Sequence, residues 1–141
     1  MIILDTNVLS ELMRPRPDPV VSRWIEEQTR SALFTTSVTK AEILYGIELM
    51  PPGKRREALV AMAERMLQVA FAERILGFES ESAPAFASIA ADRRAKGRPI
   101  TDLDAQIAAI ALTHRAQLAT RNLSDFANCG IELIDPWQAG H

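Results

Sequence analysis

Blocks of apolar residues alternate with polar turns along the whole chain, and their spacing predicts an α/β fold. The opening block, residues 2–4, is an uninterrupted Ile-Ile-Leu run typical of a strand covered on both faces, as in parallel sheets. Four further short runs predict strands at 33–36, 75–78, 117–120 and 131–134. Because longer segments separate these strands, the pattern favours a mainly parallel central sheet flanked by helices.

Helix boundaries follow from proline, glycine and capping residues. Asp18 before Pro19 predicts an N-cap with proline at the first helical position, while Pro51 stops the helix that starts at residue 37 and Gly97 closes another. Helices are predicted at 8–13, from 18, at 37–50, from 54, at 80–95 and from 101. The helix that starts at residue 54 carries an apolar stripe, which predicts core or subunit packing. The stripe consists of Leu59, Met62, Met66 and Leu67.

Four acidic residues occupy one kind of position relative to these elements. Asp5 follows the first strand, Glu42 lies early in the helix after the second, Asp104 is at a helix start, and Asp125 follows the fourth strand. Open α/β sheets bind ligands outside the carboxyl ends of their strands, so all four could face one edge. On its own, Asp5 fits an ordinary helix N-cap equally well.

The other three acids also have structural alternatives. Thr39 and Glu42 have the spacing of a capping box, in which the glutamate returns to the backbone of the threonine. Thr101 and Asp104 have a similar spacing, and Asp125 fits a turn residue. The sequence pattern alone therefore leaves both the structural and the functional interpretations open.

Clustered carboxylates repel one another in a crevice, so a cation is the natural way to hold them together. Oxygen ligands suit Mg²⁺ or Mn²⁺, whereas the single cysteine, Cys129, and two isolated histidines, His114 and His141, cannot build a zinc site. Such a cation can activate water and stabilise the leaving oxygen of a phosphodiester. The pattern therefore favours a nuclease.

Composition limits the remaining possibilities. The chain has 141 residues, 48% hydrophobic and 24% charged, which predicts a single domain over 1–141. It contains no signal-peptide pattern and no apolar run long enough to cross a membrane, so we expect a cytoplasmic protein without membrane contact. A net charge of −2 argues weakly against broad phosphate contact, although acids gathered in one pocket lower this sum.

Four sequence blocks, in order, resemble the signature blocks of PIN-domain ribonucleases. They are LDTNVLSEL around Asp5, TKAEILYGI around Glu42, DAQIAAIA at Asp104 and ATRNLSDF around Asp125. The GKRR segment at 53–56 and the IDPW segment at 134–137 are similar to the VapC and FitB type of bacterial toxin.

This resemblance implies a Rossmann-like PIN domain with Mg²⁺- or Mn²⁺-dependent endoribonuclease activity. It also implies a homodimer, the toxin of a type II toxin-antitoxin pair, inhibited by a small VapB/FitA-type antitoxin that supplies the contact with DNA. Carried over by motif, the principal metal carboxylates are Asp5, Glu42 and Asp104, with Asp125 completing the acidic pocket. Asp102 lies outside the DAQIAA block and is interpreted as a cap or surface charge.

Polar and basic residues beside these blocks are candidates for supporting roles. Hydroxyl and amide groups next to the acids could orient a carboxylate or a metal-bound water, namely those of Thr6, Asn7, Thr120 and Asn122. Arg121 and Arg98 are candidate RNA contacts. Arg98 belongs to a basic cluster at 93–98 for which a solvated helix end is the slightly favoured explanation.

The predicted function is hydrolysis of RNA phosphodiester bonds by metal-activated water. The alternative is a catalytically weak binding module of the same fold that acts with a DNA-binding antitoxin in transcriptional autoregulation. A phosphotransferase with Asp5 as nucleophile is disfavoured, because the usual DxDxT pattern needs an acid where Asn7 stands.

Overall fold

The computed structural model describes residues 1–139, in which five parallel strands form one sheet flanked by six α-helices. The strands are β1 (Ile2–Leu4), β2 (Leu33–Thr36), β3 (Ile75–Leu76), β4 (Gln117–Ala119) and β5 (Leu133–Ile134). Their order across the sheet is β3-β2-β1-β4-β5, and each neighbouring pair is parallel. The predicted Rossmann-like α/β architecture is confirmed. The prediction of one domain extends to Gly140 and His141, which lie outside the described residues.

The helices begin close to the predicted capping residues. They are α1 (Thr6–Leu12), α2 (Pro19–Glu27), α3 (Ser37–Glu48), α4 (Lys54–Arg65), α5 (Ala83–Ala95) and α6 (Asp102–Thr113). Asp18 caps α2 as predicted, with its Oδ1 accepting a hydrogen bond from the Val20 N–H at 2.8 Å. Gly97, at a φ of +71°, follows α5 in the left-handed conformation that glycine adopts without strain.

Both faces of the sheet are covered by helices. In β1, Ile2 and Leu4 belong to a core layer shared with α1 to α4, while Ile3 belongs to the opposite layer shared with α5 and α6. This alternation explains why the first strand is apolar at every position. The predicted stripe of α4 continues into a π-helical turn, Met66–Ala70, and packs on the first core layer.

Two of the strands run almost directly into helices at their carboxyl ends. Asp5 is the only residue between β1 and α1, and β2 passes into α3 without a connecting residue. These junctions lie on one edge of the sheet because the strands are parallel. Within residues 1–139, no helix is both long and apolar enough to span a bilayer.

Candidate acidic active site

A pocket of about 520 Å³ opens at the carboxyl edge of the sheet. Three of the four predicted carboxylates line it: Asp5 after β1, Glu42 on α3 and Asp104 on α6. The other lining residues come from α1 and the residues just after it, from the segment after β4 and from the turn after β5: Thr6, Asn7, Ser10, Glu11, Arg14, Arg121, Asn122 and Trp137. The structure therefore brings together acids that are about one hundred residues apart in the chain.

Asp5 is the most enclosed of these acids, with 4% of its surface exposed. Its Oδ1 accepts from the Thr6 N–H at 2.8 Å, and its Oδ2 accepts from the Thr120 hydroxyl at 2.8 Å and from Asn7 Nδ2 at 3.3 Å. Asp5 thus caps α1, which confirms the structural interpretation, and it also lines the pocket, while its role as a site residue stays a prediction. Burial raises the pKa of its carboxyl, and the negative charge of Glu42 adds to the rise.

Glu42 is oriented by α1 rather than by its own helix. The Thr6 hydroxyl donates to Glu42 Oε1 at 2.8 Å, and Thr6 Oγ1 lies 3.0 Å from Thr39 Oγ1. The predicted capping box of Thr39 and Glu42 is wrong, because Thr36 is the N-cap of α3 and accepts from the Thr39 N–H at 3.1 Å. Since β2 runs directly into α3, the cap lies three residues earlier than the capping box requires.

Asp104 reaches the pocket from the first turn of α6. Thr101 caps this helix, and its hydroxyl accepts from the Asp104 N–H at 3.2 Å. The Asp104 side chain is partly buried, and this burial followed by repulsion from Asp5 raises the pKa of its carboxyl. Asp102, in the same turn, is exposed and lies outside the pocket, as expected for a surface charge.

Asp125 lies in a short 3₁₀ segment, Leu123–Phe126, beside the pocket rather than in its lining. Its side chain is exposed, but its negative charge contributes to the raised pKa of Asp104. Its predicted role in completing the acidic pocket therefore has electrostatic support, and the role itself stays a prediction.

Three of the four predicted supporting residues donate to the carboxylates, and the fourth contacts one of those three. Thr6, Asn7 and Thr120 donate side-chain hydrogen bonds to Glu42 or Asp5. The contribution of Asn122 comes through its backbone. Its N–H donates to the Thr120 hydroxyl at 3.1 Å, and the residue also lines the pocket.

Of the basic residues singled out in the sequence, one lines the pocket and the others lie away from it. Arg121 lines the pocket, and its guanidinium carbon lies 4.8 Å from the centroid of the Trp137 ring. Arg98 is exposed and does not line the pocket, so its contact with RNA stays a prediction. Arg93 is buried, and its Nη1 donates to the Asp125 carbonyl at 2.8 Å, so neither RNA contact nor a solvated helix end describes it.

Four lining residues are absent from the sequence-based candidates: Ser10, Glu11, Arg14 and Trp137. Glu11 is 6% exposed, accepts from the Asp18 N–H at 3.1 Å and pairs with Arg14 at 3.3 Å. Positions 7, 10 and 11 share one face of α1, so helical spacing counted from the DTN motif would have found Ser10 and Glu11, while Arg14 lies just beyond the end of the helix. Trp137 follows β5 at the same sheet edge as the acids.

The donor atoms fit a hard divalent cation. The pocket acids offer carboxylate oxygens as ligands. Burial and mutual repulsion raise the pKa values of Asp5 and Asp104, and a bound cation would offset that repulsion. Within the described part of the chain, no three acid, histidine or cysteine side chains form a ready-made metal cage.

Comparison with known proteins identifies the family. The PIN domain model matches residues 2–130. The plasmid stability protein StbB of Pseudomonas syringae pv. tomato is 42% identical over 99% of this chain and 100% of its own length.

The VapC ribonuclease Y4jK of Sinorhizobium fredii is 38% identical over 98% of this chain and 99% of its own length. Toxin FitB of Neisseria gonorrhoeae is 34% identical over 97% of this chain and 99% of its own length. A solved structure of FitAB bound to an IR36 DNA fragment superposes with a TM-score of 0.89 at 34% identity, covering 100% of this chain and 99% of that one. The chain therefore belongs to the PIN-domain family.

Proposed function

We propose that this protein is a metal-dependent endoribonuclease and the toxin of a type II toxin-antitoxin pair. The observation that carries the proposal is the meeting of Asp5, Glu42 and Asp104 in one open pocket, from three separate elements. The similarity to a VapC ribonuclease over nearly the whole chain supports the same activity.

The pocket acids have distinct contributions in this proposal. Asp5, Glu42 and Asp104 would hold Mg²⁺ or Mn²⁺, which when bound supplies the positive charge that activates water and stabilises the leaving oxygen. Thr120 and Thr6 fix the orientation of the Asp5 and Glu42 carboxylates through their hydroxyls. No covalent intermediate on the enzyme is required. Asp125 adds negative charge at the outer side of the pocket.

The proposed partner is an antitoxin of the VapB/FitA type, through which contact with DNA would be indirect. The similarity to toxin FitB and to FitAB bound to DNA supports this assignment. We also expect a homodimer. Helix α3 and its C-cap residue carry apolar side chains that a second chain could cover, with exposed fractions of 42% for Leu44, 65% for Tyr45 and 67% for the C-cap Leu49. The cytoplasmic location stays a prediction.

The decisive experiment is cleavage of a mixed RNA substrate by the purified full chain with Mg²⁺, with Mn²⁺ and with EDTA. We expect metal-dependent cutting by the wild type and a loss of at least about a hundredfold in Asp5→Asn and Asp104→Asn. Asp102→Asn is the matched control, because it removes the same charge two residues from Asp104 but outside the pocket. It should cut like the wild type.

Other outcomes separate the rival explanations. Equal cutting by the wild type and by Asp5→Asn, prepared identically, indicates a contaminating nuclease or removes Asp5 from the mechanism. No cutting by any of these proteins on a broad RNA set, together with DNA binding once the antitoxin is added, favours the catalytically weak binding module.

A further inference from the structure

We infer that Trp137 is a positioning residue that holds the Arg121 guanidinium at the rim of the acidic pocket, where it binds a phosphate of single-stranded RNA. This inference rests on the proposed function for its substrate. It adds a residue from the C-terminal turn to a site otherwise built from β1, α1, α3, α6 and the segment after β4.

The sheet brings these two residues together although they belong to separate sequence segments, ATRNLSDF and IDPW. Strands β4 and β5 are parallel neighbours, and the Thr120 N–H donates to the Ile134 carbonyl at 2.9 Å just where both strands end. Arg121 and Trp137 follow within three residues of those positions. The two chain segments therefore leave the same edge side by side, next to Asp5.

Arg121 is held at both of its ends. Its backbone N–H donates to Asn7 Oδ1 at 3.1 Å, and its guanidinium lies 4.8 Å from the Trp137 ring centroid, within cation–π distance. An exposed arginine normally samples many rotamers, and ordering it on a phosphate would cost that freedom. Contact with the ring restricts the side chain beforehand, so less entropy is lost when RNA binds.

Trp137 is itself held by the turn that precedes it. Its N–H donates to Asp135 Oδ1 at 2.9 Å, and the Gln138 N–H donates to the Asp135 carbonyl at 3.1 Å. The Trp137 side chain also packs on the core layer that contains Leu4 and Ala119 of the central strands. The ring is therefore a fixed surface rather than a mobile terminal side chain.

The charge on Arg121 stays available for a phosphate. Two arginines line the pocket, and Arg14 is paired with the buried carboxylate of Glu11 at 3.3 Å. The ion pairs found within residues 1–139 do not include Arg121, whose partner is a neutral ring. A polyanion that approaches three carboxylates needs a local cation beside them, and Arg121 is placed to supply it.

The test measures RNA binding without cleavage. A fluorescently labelled single-stranded RNA of mixed sequence is titrated with the full chain in EDTA, in an Asp104→Asn background, over a range of salt concentrations. The variants are Arg121→Met, Trp137→Leu, Trp137→Phe and the double variant Arg121→Met with Trp137→Leu. Arg115→Met removes a cation that precedes β4, at the opposite edge of the sheet, and serves as the control.

We expect Arg121→Met to weaken binding and to reduce the slope of log affinity against log salt by about 0.7, the value for one phosphate on a single strand. Trp137→Leu should weaken binding about fivefold when Arg121 is present and should have no effect in the Arg121→Met background. Trp137→Phe keeps an aromatic ring and should retain most of the affinity. Arg115→Met should bind like the parent protein.

Two results would overturn the inference. One is an equal loss of RNA affinity from Trp137→Leu in the presence and in the absence of the Arg121 side chain, which would mean that Trp137 acts on its own through stacking or packing. The other is an unchanged salt slope in Arg121→Met. Thermal unfolding of each variant checks the fold, and Trp137→Phe tests the contact even if Trp137→Leu unfolds. The binding assay does not depend on turnover. If the separate cleavage assay showed no activity, the nuclease proposal would fail, but the binding data would still test whether Trp137 acts through Arg121.

Discussion

The two sides of the acidic site are built on different principles. On the inner side, Asp5 and Glu42 are fixed at the carboxylate itself, by hydroxyls of Thr120 and Thr6 at 2.8 Å. On the outer side, Asp104 and Asp125 are placed through the main chain, by the cap of α6 and by a short 3₁₀ segment. The inner carboxylates therefore have set orientations, whereas on the outer side Asp104 is only partly buried and Asp125 is exposed.

A buried arginine explains how the outer side keeps its position. Arg93 donates from Nε to the Arg98 carbonyl at 2.7 Å and from Nη1 to the carbonyls of Asp125 at 2.8 Å and Ala127 at 3.2 Å. It thereby joins the end of α5 to the segment after β4. Positioning the main chain leaves the outer carboxylates free to adjust to a cation or a substrate.

The largest expected effect is a difference in RNA cleavage between variants of the inner side and variants of the outer side. We expect Glu42→Gln to reduce metal-dependent RNA cleavage by about a hundredfold or more, because it removes a charge from the pocket lining. Asp125→Asn should reduce it less than about tenfold, since that residue is exposed and outside the lining. Rates measured with excess Mg²⁺ check both, and equal losses would show that the two sides are functionally alike.

The next effect concerns the support of the outer side. Arg93→Met should lower the free energy of unfolding by about 2 kcal/mol, because three carbonyls lose a charged donor in a buried setting. Arg94→Met is the matched control at an exposed position of the same helix and should change stability little. Urea unfolding measures both, and similar values would contradict a structural role for Arg93.

A smaller effect is expected from the hydroxyl that orients Asp5. Thr120→Val removes the donor to Asp5 Oδ2 while keeping the shape of a side chain that is fully buried. Cleavage should fall about tenfold, as for other groups that orient a metal ligand. Thr120→Ser keeps the hydroxyl and should restore most of the rate, and a valine variant with normal activity would show that the contact is dispensable.

The smallest effect is one of stability against pH. The folded-state pKa of Asp104 is raised by burial and by Asp5, so the ionised carboxylate destabilises the metal-free fold above that pKa. Asp104→Asn should therefore have a higher Tm than the wild type near neutral pH in EDTA. The difference should shrink as the pH falls through the folded pKa and should vanish below the ordinary value of 3.8, where the wild-type carboxyl is protonated in both states.

Added Mg²⁺ supplies the control for this pH experiment. It should raise the Tm of the wild type more than that of Asp104→Asn, because a bound cation offsets the repulsion between the pocket acids. A wild type that is more stable than Asp104→Asn in EDTA near neutral pH would contradict the raised pKa.

The sequence predicted the sheet and three of the pocket acids because both depend on local signals. Apolar runs located the strands, and the rule that parallel strands end at one edge placed Asp5, Glu42 and Asp104 together. Asp18 before Pro19 fixed the start of α2, since this capping pattern acts within a few residues.

Contacts between distant segments could not be predicted in the same way. The choice between Thr36 and Thr39 as the cap of α3 depended on how directly β2 joins the helix. The burial of Arg93 depends on carbonyls that lie more than thirty residues away in the chain, and nothing within the 93–98 cluster distinguishes it from its exposed neighbours. Trp137 reaches the pocket only because β5 pairs with β4.

The single residue that joins β1 to α1 has a consequence for genetics. Asp5 both caps α1 and lines the pocket, so inactivating mutations at this codon fall into two phenotypic classes. Asparagine is an equally good cap and should give an inert protein that still accumulates and still engages its partner. Alanine loses the cap, at a cost of about 1 kcal/mol, and should give lower abundance as well. Selection for survival alone recovers both classes, whereas a screen that also demands partner binding enriches asparagine.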